Sequence, residues 1–277
     1  MQLDEITYEA AGGVATVTLD RPQLLNAISA RAGGTRDQII AAVELAEADD
    51  NVGCVVLRGA GRAFCGGGDL TGNAKRERSL DDLRFVEAAA AFHRRLTASQ
   101  VPVIAAVHGH CLGAGLLLAA SCDFVIAAES AKFGFPEGRL GLVGASALVP
   151  RIGRQWAKFL MLTGESISAA QAQSMGIVLA VEPDDELQAR VLDLAGRIAR
   201  MPREGARLNR QAIDAVADAA GDAAGQLASV AHDAITLNMG VHAKAPDGRT
   251  FRSIIDSEGM DGMKAARAAQ YDTPWLR

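Results

Sequence analysis

The chain has 277 residues, of which 49% are hydrophobic and 22% are charged. This length and apolar content predict one large α/β domain, or a domain with an appended helical piece, and they argue against disorder. The net charge of −5 provides no basic face for a phosphate backbone, and an aromatic content of 4% provides few stacking platforms for single strands. Nucleic-acid binding is therefore excluded from the expected functions.

Targeting, membrane and metal signals are also missing from the sequence. The first ten residues, MQLDEITYEA, contain acids and no apolar signal segment. The most apolar stretch, 101–128, is interrupted by His108, His110 and Asp123, which favours buried strands and helices over a membrane span. The four cysteines lack C-x-x-C spacing and are typical of reduced core thiols. These features predict a cytoplasmic protein with no metal site and no membrane contact.

The first part of the chain alternates between strand-like and helix-like segments. Short β-branched or apolar runs bounded by glycine or proline predict strands, whereas longer stretches with apolar residues at helical spacing predict helices. The predicted strands are 14–19, 54–58, 103–107 and 124–127, and the predicted helices between them are 29–48, 79–99 and 113–121. This alternation predicts a largely parallel or mixed sheet covered by helices.

Beyond about residue 182 the sequence becomes rich in alanine, with helical spacing and little strand signal. The predicted helices are 184–201, 203–218, 223–239 and 251–269. Pro202 follows a predicted helix end and marks a soft boundary. We therefore expect a core over 1–201 and a helical region over 202–277.

The first candidate site motif is a glycine-rich loop, AFCGGGDL at 63–70, which directly follows a predicted strand. Consecutive glycines let the backbone approach a ligand closely and leave N–H groups free to point at it. A flexible turn without function is the ordinary alternative, because most isolated glycine-rich loops are only that.

The second motif, GHCLGAGLLL at 109–118, joins a strand to a helix through small residues. The first turn of a helix has unpaired N–H groups and a partial positive charge, which suit an anion. Tight packing that needs Gly113 and Gly115 only for space explains the same letters equally well.

The third motif is FGFPE at 133–137, which places Glu137 after a proline and among apolar residues. A carboxyl group in such surroundings has a raised pKa, as a proton shuttle requires. A glutamate that caps a helix at the surface is the alternative. All three motifs occur in one chain, and this combination indicates a site.

With these motifs the chain resembles the enoyl-CoA hydratase/isomerase family, which is also called the crotonase superfamily. The similar segments extend over nearly the whole sequence. They are DRPQLLNA (20–27), GRAFCGGGDL (61–70), AVHGHCLGAG (106–115), CDFVIAAESAKFGFPEGRLGL (122–142), LTGESISAAQAQSMGIV (162–178) and DSEGMDGMKA (256–265).

The resemblance implies a crotonase-like α/β fold, a spiral of ββα turns over 1–201, followed by a C-terminal helical trimerisation region over 202–277. It implies a homo-oligomer, either a trimer or a dimer of trimers. The implied ligand is an acyl-CoA thioester, and coenzyme A enters as part of the substrate rather than as a cofactor.

The family positions also imply the roles of individual residues. The thioester oxygen would accept hydrogen bonds from the backbone N–H groups of Gly66 and Ala114, the latter at a helix N-terminus where the dipole adds to the stabilisation. Alanine replaces the family's commoner glycine at 114, but the donor is backbone. The positions that match the family's acyl-CoA contacts are Gln23, Leu24, Leu25, Gly68, Asp69 and Leu70. Gln23 replaces a lysine that is common in hydratases, and Arg62 would supply the positive charge for the CoA phosphates instead.

The chain departs from the hydratases of the family at one decisive position. Hydratases carry two glutamates, of which the second maps to Glu137 and the first to Leu117, and leucine can neither orient water nor accept a proton. A single base suits migration of a double bond in an enoyl-CoA, with Glu137 moving the proton. We therefore expect an isomerase.

Two alternatives stay open. The first is hydration or dehydration, which would need an acid from elsewhere, such as Asp69, Asp123 or Glu129. For His108 and His110 we favour packing or shaping of the ligand site over catalysis. The second alternative is a non-catalytic acyl-CoA binder, because a fold does not by itself confer activity. The letters around Ser146 lack a nucleophile elbow, which argues against a serine hydrolase.

Overall fold

The computed structural model describes residues 3–69, 79–240, 242–269, 271 and 273–276. Ten strands and nine α-helices lie in this part of the chain. The strands are β1 Ile6–Ala11, β2 Val14–Leu19, β3 Cys54–Gly59, β4 Ala63–Cys65, β5 Val103–Val107, β6 His110–Leu112, β7 Phe124–Ala128, β8 Lys132–Gly134, β9 Ser166–Ser168 and β10 Ala180–Glu182. The helices are α1 Thr35–Ala48, α2 Ser79–Thr97, α3 Ala114–Ala120, α4 Val149–Thr163, α5 Ala169–Met175, α6 Leu187–Ala199, α7 Arg203–Ala219, α8 Asp222–Gly240 and α9 Phe251–Ala268.

The strands form two sheets that are built by one repeating unit. The larger sheet has the order β1-β2-β3-β5-β7-β10, and the smaller one has the order β4-β6-β8-β9. Each central strand of the large sheet is followed at once by a three-residue strand of the small sheet: β3 by β4, β5 by β6 and β7 by β8. A helix then leads back, so the chain winds through successive β-β-α turns. The central strands pair in parallel, whereas β1 with β2 and β8 with β9 pair antiparallel at the sheet edges.

Hydrophobic side chains cover both faces of the large sheet because alternate residues of a strand point to opposite faces. Along β3, Val56 packs in the cluster that contains Val191 of α6. Its neighbour Leu57 points the other way, into the main core that contains Ile39 of α1. The continuous apolar runs of the central strands follow from this burial on both sides.

The helix predicted over 29–48 begins later, at Thr35. Gly33 has a φ of +68°, which side chains rarely adopt, so it ends the preceding turn. The Thr35 hydroxyl accepts a hydrogen bond from the backbone N–H of Ser29 at 3.0 Å. The residues before Thr35 therefore form a loop that is tied to the helix start.

Helices also make up the C-terminal part, where α7, α8 and α9 begin and end within one or two residues of the predicted bounds. Helix α8 packs along α2 and against the segment after Glu137. Among the described residues, no helix combines the length and the apolar character needed to cross a lipid bilayer.

Candidate functional site

Three neighbouring parallel strands of the small sheet bring the three sequence motifs to one edge. In β4, Cys65 pairs with Cys111 of β6, and in β6, Leu112 pairs with Gly134 of β8. The carboxyl ends of parallel strands meet at the same edge of a sheet, as in other α/β ligand sites. The glycine loop, the start of α3 and the segment with Glu137 leave from these three ends and therefore lie side by side.

The glycine loop and the start of α3 are in close contact. A methyl group at Gly115 would come within 2.6 Å of the Cys65 carbonyl oxygen and 2.9 Å of its sulfur. A methyl group at Gly67 would lie 3.3 Å from the Leu112 carbonyl oxygen. These contacts support the packing explanation of the two glycines, because a side chain at either position would crowd the neighbouring strand.

The prediction that Gly66 supplies an oxyanion donor is wrong for this structure. The backbone N–H of Gly66 donates to the Leu25 carbonyl oxygen at 2.7 Å, so it is already used. Sequence alone could not decide which of three consecutive glycines keeps a free donor.

Two glycines of this loop, Gly67 and Gly68, have an N–H with no acceptor among the described residues, and of the two Gly68 is the one with open space beside it. A parallel bridge to Ile28 engages the residues on either side of it: the Ile28 N–H donates to the Gly67 carbonyl at 2.8 Å, and the Asp69 N–H donates to the Ile28 carbonyl at 2.9 Å. Within the described residues, the N–H of Gly68 has no acceptor. The position where its side chain would be is also open, with no atom within 4 Å.

Ala114 is the first residue of α3, so its N–H has no partner inside the helix. The preceding residue, Gly113, has a φ of +54° and donates its own N–H to the Gly134 carbonyl at 2.9 Å. This bond ties the start of α3 to the end of β8. The helix start is thereby held next to the segment that carries Glu137.

The Glu137 carboxylate lies directly against the start of α3. A methyl group at Gly113 would come within 2.8 Å and 3.0 Å of its two oxygens, so only glycine leaves room for them. Glu137 is in a 3-10 turn, Pro136–Leu140, that follows β8. A proton acceptor therefore lies one residue away from the N–H of Ala114.

Burial raises the pKa of Glu137 to about 7, against an ordinary value of 4.5. The negative charge of Asp233 acts in the same direction, whereas the backbone N–H of Glu137 and the positive charge of Arg267 lower the pKa. A carboxyl group with a pKa near neutrality can both take up and release a proton under physiological conditions.

Leu117 lies one turn after Ala114 on α3, at the position that the family resemblance matches to the first glutamate of hydratases. Its side chain is partly buried and packs against the main core. No acid group is supplied from this position, as the sequence indicated.

The predicted acyl-CoA-binding residues around Leu25 lie next to the glycine loop, because the Leu25 carbonyl accepts the N–H of Gly66. Gln23 and Leu24 are exposed in the 3-10 turn Pro22–Leu24, and Leu25 follows it with a φ of +52°. Arg62 is exposed beside this turn, where the Cβ of Pro22 lies 2.8 Å from a methyl group added at Gly61. Leu70 lies outside the described residues.

The Asp69 side chain holds the loop in place. Its carboxylate accepts a hydrogen bond at 2.7 Å from Arg21, which also donates to the Ala27 carbonyl at 2.8 Å. The buried Asn26 amide donates to the carbonyls of Ala60 and Ala63 at 2.8 and 2.7 Å. The two anchors fix the 21–27 segment, and with it the Leu25 carbonyl that engages Gly66.

The other acids considered from the sequence are engaged away from Glu137. Asp123 accepts from the Val103 N–H at 2.7 Å and forms an ion pair with Arg210 of α7. Glu129 is exposed after β7. Among the histidines, the His108 ring bonds the Gly61 carbonyl at 2.9 Å, in agreement with a packing role, and His110 is exposed.

Sequence reasoning missed two charged residues of the C-terminal helices that act on Glu137. Asp233 of α8 and Arg267 of α9 are both half-buried, and both change the pKa of Glu137. They follow Glu137 by roughly one hundred residues in the chain, and no local motif marks them. The helical spacing of apolar residues in α8 and α9 shows which face of each helix is buried, but it does not show what that face contacts.

Comparison with known proteins agrees with this geometry. The sequence profile described as enoyl-CoA hydratase/isomerase matches residues 9–247. A probable enoyl-CoA hydratase from Mycobacterium leprae (strain TN) is 31% identical, covering 98% of this chain and 99% of that protein. The 1,2-epoxyphenylacetyl-CoA isomerase of Escherichia coli (strain K12) is 39% identical, over 73% of this chain and 79% of that protein.

Solved structures show the same fold. An enoyl-CoA hydratase/isomerase from Xanthobacter autotrophicus Py2 superposes with a TM-score of 0.89 and 30% identity, covering 98% of this chain and all of that one. An enoyl-CoA hydratase from Mycobacterium smegmatis gives a TM-score of 0.85 at 29% identity, over 97% of this chain and 94% of that one. The predicted crotonase-like α/β fold is confirmed.

Proposed function

Because the chain belongs to the enoyl-CoA hydratase/isomerase family, we propose that it moves a double bond within an enoyl-CoA. The observation that carries the proposal is the pairing of Glu137 with Leu117. A partly buried carboxyl with a pKa of about 7 lies beside the start of α3, while the apolar side chain of Leu117 occupies the position of the first glutamate of hydratases. One such base can move a proton between carbons without adding water.

In the proposed reaction, the thioester oxygen accepts hydrogen bonds from the backbone N–H groups of Gly68 and Ala114. Glu137 takes a proton from the carbon next to the thioester carbonyl, and the electrons of that C–H bond move toward the oxygen to give a dienolate. Two donors, of which Ala114 is at a helix start, favour this negative charge, and one such donor is typically worth about 3 kcal/mol of transition-state stabilisation. Reprotonation two carbons away completes the migration.

The names of the relatives support an acyl-CoA substrate but divide on the reaction. Most of the similar curated proteins are named hydratases, such as the short-chain-enoyl-CoA hydratase of Clostridium acetobutylicum, whereas the Escherichia coli relative is named an isomerase. Hydration is therefore the competing outcome in the test below.

The proposal extends to substrate binding and assembly. We assign coenzyme A to the surface formed by Gln23, Leu24, Leu25, Arg62, Gly68 and Asp69, with its thioester end at the glycine loop. We assign self-association, as a trimer or a dimer of trimers, to the helices of 202–277, where Ile213 and Val216 of α7 are 70% and 71% exposed. The cytoplasm is the proposed location, and coenzyme A is proposed to enter only as part of the substrate.

The test is incubation of the purified protein with a 2-enoyl-CoA and with its 3-enoyl isomer in heavy water, followed by mass analysis of the products. The proposal predicts an isomerised product that carries deuterium and no added water. A 3-hydroxyacyl-CoA product would show hydration instead. Tight binding of both esters without deuterium uptake would identify a non-catalytic binder.

A further inference from the structure

The turn that carries Glu137 is held against the end of α4. A methyl group at Gly138 would overlap the Met161 carbonyl oxygen, so the backbone of the turn touches the last turn of that helix. The next residue, Arg139, donates from Nε to the Thr163 carbonyl oxygen at 2.8 Å. Both contacts are made by the two residues that directly follow Glu137. They therefore fix the backbone from which its carboxylate extends.

The Arg139 side chain contacts both the end of α4 and the chain after α9. A methyl group at Gly164 would lie 2.6 Å from Cγ and 3.1 Å from Nε of Arg139, so the stem of the side chain crosses this glycine closely. The guanidinium carbon of Arg139 lies 3.7 Å from the centroid of the Tyr271 ring. A guanidinium is attracted to an aromatic face and stacks flat on it, so the ring restricts where the Arg139 head can lie.

The segment of Tyr271 and residues 273–276, here named the strap, has a second attachment at Glu165. This glutamate is buried, and its carboxylate accepts hydrogen bonds from the Trp275 N–H at 3.1 and 3.2 Å and from the Leu276 N–H at 3.4 Å. The Trp275 and Phe159 ring centroids are 5.9 Å apart, and Leu276 packs against the main core. A buried carboxylate needs donors, and the strap backbone supplies them.

Glu165 lies beside the strand that leads into the Glu137 turn. The residue after it, Ser166, begins β9 and pairs with Gly134 at the end of β8. A methyl group at Gly134 would come within 2.7 Å of the Glu165 carbonyl oxygen. The strap is therefore attached on both sides of Glu137 along the chain, through Glu165 next to the end of β8 and through Arg139 in the turn itself.

We propose that Arg139 is a positioning residue for Glu137 and that the strap, through the Tyr271 ring, holds Arg139 in place. This inference rests on the proposed isomerase function, in which Glu137 moves the proton. Arg139 and Tyr271 act on the turn and not on the substrate, and they keep the carboxylate beside the start of α3 during proton transfer. Such transfer depends steeply on geometry, because a displacement of about 1 Å can cost about 100-fold in rate.

A positioning role has a kinetic signature that a contribution to stability alone does not have. Substrate binding is assigned above to the glycine loop and to residues 23–25, whereas the strap contacts α4 and the Glu137 turn. Loss of the Tyr271 stack should therefore slow proton transfer in the bound ester and leave binding of the ester intact. In steady-state terms, kcat falls and KM does not change.

The test measures kcat and KM for conversion of a 3-enoyl-CoA to its 2-enoyl isomer. Y271L removes the ring, Y271F keeps it, R139Q removes the guanidinium, and the control R252Q removes an exposed arginine of α9 that pairs with Asp256. We expect Y271L and R139Q each to lower kcat at least about tenfold, with KM within about threefold of wild type. Y271F and R252Q should stay within about twofold. The double variant R139Q/Y271L should lose about as much as R139Q alone, because both changes break one contact.

Three results would overturn the inference. They are a wild-type kcat in Y271L, a raised KM with unchanged kcat, and losses that multiply in the double variant. Melting temperatures are measured in parallel; if Y271L is unfolded at the assay temperature, R139Q decides, and a wild-type kcat in that protein overturns the inference. Failure of the proposed function looks different, because the wild-type protein itself would then not isomerise the substrate, and the inference would fall with it.

Discussion

Replacement of Glu137 by glutamine is expected to stabilise the protein at alkaline pH. Burial raises the pKa of this carboxyl in the folded chain from 4.5 to about 7, so the folded chain holds a proton that the unfolded chain has released between those pH values. Stability therefore falls as pH rises from 4.5 through 7. The interval of about 2.5 pH units corresponds to about 3 kcal/mol. The E137Q protein carries no such charge and avoids this loss.

The assay is urea unfolding of both proteins at pH 5, 6, 7 and 8.5, at one fixed protein concentration because self-association changes apparent stability. We expect the advantage of E137Q over wild type to grow across this range and to approach about 3 kcal/mol at pH 8.5. The control is D193N, which removes an exposed carboxylate of α6 that pairs with Arg197. Its stability should equal that of the wild type at every pH. A difference between E137Q and wild type that does not change with pH would refute the account of a desolvated carboxyl.

Other predictions concern activity, packing and thiol reactivity. The value of kcat/KM should fall about tenfold per pH unit below pH 7, because only ionised Glu137 accepts a proton; a flat profile down to pH 5 would argue against it as the base. Gly115→Ala should lower the free energy of unfolding by about 1–3 kcal/mol through overlap with Cys65, measured by urea unfolding, and an unchanged midpoint would contradict the close packing. Asn26→Ala should cost about 2–4 kcal/mol in the same assay, because the buried Ala63 carbonyl and the part-buried Ala60 carbonyl lose their donor. The Cys65 thiol, whose pKa burial raises to about 12, should resist iodoacetamide until the chain unfolds, and rapid labelling of the native protein would show that it is exposed.

Elements with strong local periodicity were predictable. Strand β5 occupies the residues expected from its continuous apolar run, and α7 begins at the expected residue after Pro202. Both rest on signals contained in a few neighbouring letters. The start of α1 was placed too early because the spacing of its apolar residues continues through the two glycines that break the helix.

The short strands of the small sheet were not predictable from pattern. Each of β4, β6 and β8 has three residues, which is too few to show a period of two, and their letters include cysteine, histidine and glycine. Their pairing is set by the longer strands β3, β5 and β7 that precede them. The edge that gathers the site therefore became visible only in three dimensions.

The candidate site was predictable in its motifs but not in its donors. The sequence marked the glycine loop, while the assignment of the free N–H to Gly68 instead of Gly66 depends on Ile28 and Leu25, which lie about forty residues earlier. Asp233 is farther still from Glu137 along the chain. Such choices depend on long-range pairing, which local letters do not encode.

The most direct test of the central claim is the rate at which E137Q converts a 3-enoyl-CoA to the 2-enoyl isomer, compared with wild type at pH 8. Glutamine keeps the size of the side chain and removes its capacity to accept a proton. The account predicts a loss of about 10²–10⁴-fold with a folded, CoA-ester-binding protein. Conversion by E137Q at a rate close to wild type would contradict it, since another group would then be moving the proton.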